Sequence, residues 1–222
     1  MNSNRFFEVL ALLPGATAET LVMTLLSTVF SALLGFPLGA LLYVTSPVGI
    51  APRRTAYNIM SRIVNLFRAA PFIILMILLI PLTRLIVGTS LGPLAVVVPL
   101  SIGASPFVAR VVEAALREVD SGVILAARAM GATGAQILLK ALIPESLPAL
   151  VSGLALTIIT LIGYSAMAGV IGGGGLGALA INWGYYRFRT DITAAAVVVI
   201  LILVELVQFG GNFFARKLLS RR

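Results

Sequence analysis

Long apolar runs free of charge recur five times along the chain, each bounded by charged or turn-forming residues. The first extends from Leu21 to Thr45, between Glu19 and Arg53, and the second from Ala69 to Thr83, between Arg68 and Arg84. The third lies within Leu85 to Ala109, starting near Leu91. The fourth covers about Leu147 to Ile171 and the fifth about Ile192 to Phe214. A helix crosses the hydrocarbon core with about 20 apolar residues, so the pattern predicts an all-α integral membrane protein with five transmembrane helices. The second run has only 15 uncharged residues and must borrow flanking turns to span.

Composition agrees: 59% of the 222 residues are hydrophobic and 11% charged, at a mean hydropathy of +1.08. A water-soluble domain of this size cannot hide so much apolar side chain. The net charge of +8 is explained by where the charges fall. Arg53, Arg54, Arg62, Arg68, Arg110, Arg117, Arg128, Lys140, Arg216, Lys217, Arg221 and Arg222 lie on one side of the predicted spans. Only Arg5, Arg84, Arg187 and Arg189 lie on the other. Twelve against four places the C-terminus in the cytoplasm and the N-terminus outside by the positive-inside rule. The basic balance is then topology, and no nucleic-acid partner is expected.

Four parts follow. Residues 1–20 are expected as an outer-side interfacial segment, amphipathic from Phe6 to Leu13, and without cleavage at Ala16-Thr17-Ala18 because Glu8 interrupts the apolar stretch. Residues 21–214 form the membrane body, 110–145 a long cytoplasmic loop within it, and 215–222 a basic cytoplasmic tail.

The chain has no cysteine and no histidine, which excludes thiol chemistry, Ser-His-Asp catalysis and the usual zinc sites. Gly88-Thr89-Ser90-Leu91-Gly92 fits a nucleophile elbow but has no base. Gly103-Ala104-Ser105-Pro106 likewise resembles an intramembrane serine protease motif with no base. The glycine run Gly172 to Gly177 satisfies a dinucleotide pattern outside any strand-to-helix context, and reads as a flexible turn capping the fourth span. No phosphate-binding P-loop pattern occurs. No enzyme activity, metal or cofactor is expected in this chain.

Within the spans, Gly35 and Gly39 form a small-xxx-small pair that permits close helix approach. Ser101 and Ser105 on the third span, with Tyr164 and Ser165 on the fourth, either line a solute path or hydrogen-bond between helices. Glu205 is the one charge well inside a span, and is the residue an ion-coupled carrier would need.

The loop 110–145 is patterned as helices. Val111 to Val119 continues the third span, Asp120-Ser121-Gly122 breaks it, and Val123 to Met130 makes a short helix presenting Ala126, Ala127 and Ala129 with Ile124 and Met130. Gly131 suits a left-handed C-cap, Thr133 to Gln136 reads as a capping box, and the helix it opens is expected to stop at Pro144. The small-residue helix either enters a groove on another protein or rests on the membrane surface.

Leu125-Ala126-Ala127-Arg128-Ala129-Met130-Gly131, nine residues, then Ala141-Leu142-Ile143-Pro144, resembles the E-A-A-x-x-x-G-x9-I-x-L-P loop of ATP-binding-cassette importer permeases. Ala126, Ala127, Gly131 and Pro144 match; Leu125, Ala141 and Ile143 replace the motif's Glu, Ile and Leu. Arg68-Ala69-Ala70-Pro71-Phe72, Ile86 to Ser90, Ala129 to Thr133 and Gly163 to Met167 resemble the methionine-import permeases of that family. The resemblance implies a pore of two identical chains, each docking one cytoplasmic ATPase that binds ATP and Mg, with an extracytoplasmic binding protein delivering methionine in a bacterial inner membrane. It makes Leu125, Ala126, Ala127, Arg128, Met130, Gly131 and Pro144 the ATPase-coupling residues. It places Met167 at an apolar gate beside Tyr164 and Ser165. Other solutes, an ion-coupled carrier built on Glu205, and a purely structural membrane subunit are the alternatives.

Overall fold

The computed structural model describes residues 3–220, of which 3–6 are described by backbone alone. Every described element is helical, as a bilayer with no water for backbone groups requires. Four helices are long and apolar enough to cross a membrane, and a bent pair raises the number to five.

Helix α1 runs unbroken from Ser3 to Thr45 and carries Pro14 and Pro37 inside it. The segment expected as a separate interfacial piece, Phe6 to Leu13, is thus the first part of the same helix as the first span. The side chains of Arg5 and Phe6, like Arg221 and Arg222 of the basic tail, lie outside what is described. A tight turn follows, where a Cβ at Gly49 would collide with the Tyr43 and Val44 carbonyls. Helix α2 (Arg54–Ala69) occupies what the sequence presents as a charged loop.

The second span is segmented. Helix α2 meets α3 (Phe72–Leu78) at a 101° bend across Ala70 and Pro71. Helix α4 (Ile80–Val87) follows after a break at Leu79, with Pro81 in its first turn. All three pieces contact α5 (Pro93–Arg117), and α2 and α3 meet it in reverse chain order. Tyr57 meets Glu113 and Arg117, Ser61 meets Arg110, and Phe72 lies over Gly103.

Helix α6 (Ser121–Ala129) is capped by the Asp120 carboxylate, which accepts from the Gly122 N–H at 2.7 Å. The Thr133–Gln136 capping box forms as expected and opens α7 (Gly134–Gln136). The helix does not stop at Pro144. A π-helical stretch, Ile137–Leu142, carries it into α8 (Ile143–Ala168). The Ile143 N–H reaches back to the Leu138 carbonyl, and this wider register leads into Pro144, whose missing N–H falls in the first turn of α8. A 3-10 turn, Gly169–Ile171, ends α8. Helix α9 (Gly175–Leu179) continues through a π-helical stretch, Ala180–Tyr185, and α10 (Thr190–Leu219) closes the chain.

Helix α1 packs most extensively on α5, and two glycines bring the helices close midway along the seam. A Cβ at Gly35 would lie 2.6 Å from the Ser105 carbonyl oxygen, and one at Gly39 would meet the Ala109 carbonyl and, at 2.7 Å, Val112. One buried cluster joins Met23, Phe72, Met76, Leu100 and Leu161 toward the glycine-rich end. A second joins Tyr43, Leu116, Ala127, Ile137 and Leu142 at the α6 end.

Candidate functional site

The α6 end is built from short-range signals that fix one small helix against the bundle. Asp120 starts α6 and Gly131, at φ +77°, ends it in the left-handed region. The Ala132 N–H returns to the Ala127 carbonyl at 3.1 Å. Arg128 of α6 donates from Nη2 to the Ile50 carbonyl at 2.8 Å, so α6 is also tied to the turn between α1 and α2.

Burial then divides α6 into two faces. Ala127 is 8% exposed and packs in the cluster with Tyr43, Ile137 and Leu142. It therefore turns inward, toward its own chain. Its small side chain lets α6 sit close to its own chain. On the other side, Leu125 is 64% and Met130 81% exposed, with Ala126 and Ala129 between them. That stripe is apolar, small at its centre and uncovered. Pro144, in the first turn of α8, is exposed.

The second candidate surface lies on α8. Tyr164 stacks flat on Phe72, with ring centroids 4.2 Å apart and planes 3° apart. Beside the pair lies a cavity of about 140 Å³, also lined by Phe67, Arg68, Gly103 and Phe107. Gly163 and Met167 share an exposed face of α8, Met167 at 47%, and Val170 is exposed in the 3-10 turn that ends it. Ser165 is buried and donates to the Ile162 carbonyl; Ser101 donates to Val97 and Ser105 to Ile102. All three hydroxyls thus bond within their own helices and not between helices.

At the opposite end the glycine run is a defined structure. Gly172, Gly174 and Gly175 all have positive φ, and Gly92 donates its N–H to the Gly172 carbonyl. Glu19 and Thr20 of α1 accept the first N–H groups of α9, from Gly175 at 2.6 Å and Leu176 at 2.9 Å. Glu205 lies on an outward groove of α10 among Val198, Leu201, Ile202, Leu206 and Phe209. No group of three or more metal-ligating side chains occurs among the described residues.

Sequence reasoning missed one cluster. Glu113 is 3% exposed between Arg110 and Arg117, and all three were legible only as charges of a loop. A Glu flanked by Arg at three and four residues' distance on a helical stretch was the available signal.

Residues 35–220 match the family model described as "Binding-protein-dependent transport system inner membrane component". The chain belongs to this family. It is a multi-pass inner-membrane permease, the transport subunit and not the ATPase of its system. It is 44% identical over 206 residues to the "Probable D-methionine transport system permease protein MetI" of Vibrio cholerae, covering 93% of this chain and 92% of that one. It is 55% identical over 151 residues to the D-methionine transport system permease protein MetI of Escherichia coli K12, covering 68% and 70%. A solved inward-facing conformation of the MetNI methionine ABC transporter superposes with a TM-score of 0.92 at 47% identity, covering 98% of this chain and 99% of that one. An amino acid ABC transporter solved with histidines shares the fold, with a TM-score of 0.79 at 22% identity.

Proposed function

We propose that two copies of this chain form the translocation pathway of an ATP-driven methionine importer. Each copy docks one cytoplasmic ATPase through α6, and an extracytoplasmic binding protein delivers the solute. The observation that carries this reading is the uncovered apolar stripe from Leu125 to Met130, held at a fixed place by Asp120, Gly131 and Arg128. A groove on an ATPase would cover that stripe. The methionine assignment is supported by the likeness, over most of the chain, to permeases named for that solute.

The chain supplies the pore and the lever; its partner ATPases hold ATP and Mg. Closure of the ATPases moves the two α6 helices together, and the bundle has to be bistable for that movement to select an outward-open pore. In this arrangement the charge bias sets the α6 end in the cytoplasm and the glycine-rich end outside. Met167, on the exposed face of α8 beside the Phe72–Tyr164 stack, is the gate; its flexible thioether closes a constriction and repacks as the constriction opens. Glu205 faces away from the chain's own interior, which disfavours ion coupling through it.

The test is purification from native membrane in mild detergent. The wild-type chain carries an ATPase at a one-to-one ratio. Gly131→Trp inserts and pairs with its copy but carries none, because a side chain at φ +77° strains the turn that ends α6 and the indole stands in the open space beside the stripe. Normal recovery of the ATPase with Gly131→Trp overturns the docking assignment.

A further inference from the structure

Glu113 occupies α5 seven residues before Asp120, the cap of α6, and both its oxygens are engaged. Oε2 accepts from Arg110 at 2.6 Å. Oε1 accepts from Arg117 at 2.7 Å and from the Tyr57 hydroxyl at 3.1 Å. Arg110 donates onward to the Ser61 carbonyl at 3.0 Å, to the Ser61 hydroxyl and to Asn65 Oδ1 at 2.9 Å. Residues 57, 61 and 65 form one stripe of α2, and 110, 113 and 117 one stripe of α5. The two helices are therefore joined over about two turns by charge-assisted bonds.

Adhesion alone does not account for the cluster. Burying the Glu113 carboxylate is costly even with Arg110 half-buried and Arg117 exposed beside it, and apolar residues hold two helices together as well; fixing register is the better-attested use of such groups. Helix α2 has little else to fix it: Val64 is its one buried residue, while Ile59, Ile63 and Leu66 are exposed. The turn that leads into it is tied to α6 by Arg128 at Ile50, and its end leads through Pro71 to Phe72, which stacks on Tyr164 of α8.

We infer that Glu113 is a positioning residue that makes α2 travel with α5 and α6 as one body, so that displacement of α6 reaches Phe72 and the Tyr164–Met167 stretch of α8. This role rests on the importer reading and adds a mechanical joint to it. The test uses the full complex in lipid vesicles, with Val170→Cys as a reporter in the exposed 3-10 turn that ends α8; the chain has no other cysteine. Maleimide labelling of that cysteine is timed with and without ATP and vanadate, so no solute enters the measurement. Failure of methionine uptake by the wild type therefore counts against the solute assignment alone.

Glu113→Gln is expected to keep its ATPase and hydrolyse ATP while losing about fivefold or more of the ATP-dependent change in labelling. Tyr57→Phe, which leaves the buried charges in place, is expected to lose part of it. The inference is overturned if the ATP-dependent change survives in Glu113→Gln. It is equally overturned if Glu113→Gln does not assemble and Tyr57→Phe labels like wild type.

Discussion

Truncating the exposed stripe of α6 weakens ATPase docking by an amount that the structure sets. Leu125 is 64% and Met130 81% exposed, so most of each side chain is available for a partner to cover. Full burial of a Leu or Met side chain stabilises by about 1.5–3 kcal/mol, and alanine retains the first carbon. The exposed fractions then give about 2–3 kcal/mol for the pair, or about 30–150-fold in dissociation constant at each docking site. The assay is titration of the purified permease pair, in detergent or nanodiscs, with its labelled ATPase, comparing wild type with Leu125→Ala/Met130→Ala. Size-exclusion chromatography checks that the permease pair stays intact. Ala127→Leu is the informative contrast, because position 127 faces Tyr43, Ile137 and Leu142 of its own chain. It overpacks the bundle, costs about 1–3 kcal/mol of stability, and lowers the melting temperature, which the double truncation leaves unchanged. A dissociation constant within twofold of wild type for the double truncation would refute the docking stripe.

Two further outcomes follow from the packing. Gly39→Leu forces a side chain against the Ala109 carbonyl and Val112, neither of which can retreat within the α1–α5 seam, and is expected to cost about 2–3 kcal/mol; a detergent melt falls by about 5 °C, the scale expected for a chain of this size, and an unchanged melt contradicts the close approach. Met167→Ala removes the flexible side chain from the exposed face of α8 and is expected to raise basal solute leak or uncouple ATP hydrolysis from uptake; unchanged uptake and unchanged basal hydrolysis count against the gate.

The sequence was most readable where local chemistry acts alone. Apolar runs marked the long helices. Asp120, Gly131 and the Thr133–Gln136 box each sit where their chemistry demands, and Gly35 and Gly39 lie at the closest approach of α1 to α5. It was least readable where a distant element decides the outcome. Helix α2 carries the charges of a loop because one face is solvated while the other spends its polar groups on Glu113 and Arg110. Pro144 ordinarily ends a helix, and only the π-helical stretch at Ile137–Leu142 lets the chain continue. Alanines lie on both faces of α6, so only the partners of Ala127, on α1 and the segment before α8, reveal which side is inward. The glycine run reads as flexible, yet Glu19 and Thr20, some 150 residues away, fix the start of α9.

The most direct measurement of the central claim is radiolabelled methionine uptake into lipid vesicles. These hold the permease pair with its ATPase, with loaded binding protein outside and ATP enclosed. Uptake is predicted to require enclosed ATP, to persist when proton and sodium gradients are collapsed, and to survive Glu205→Leu, since that carboxylate faces away from the chain's interior. Uptake that proceeds without the ATPase, follows an imposed ion gradient and disappears with Glu205→Leu would contradict the account.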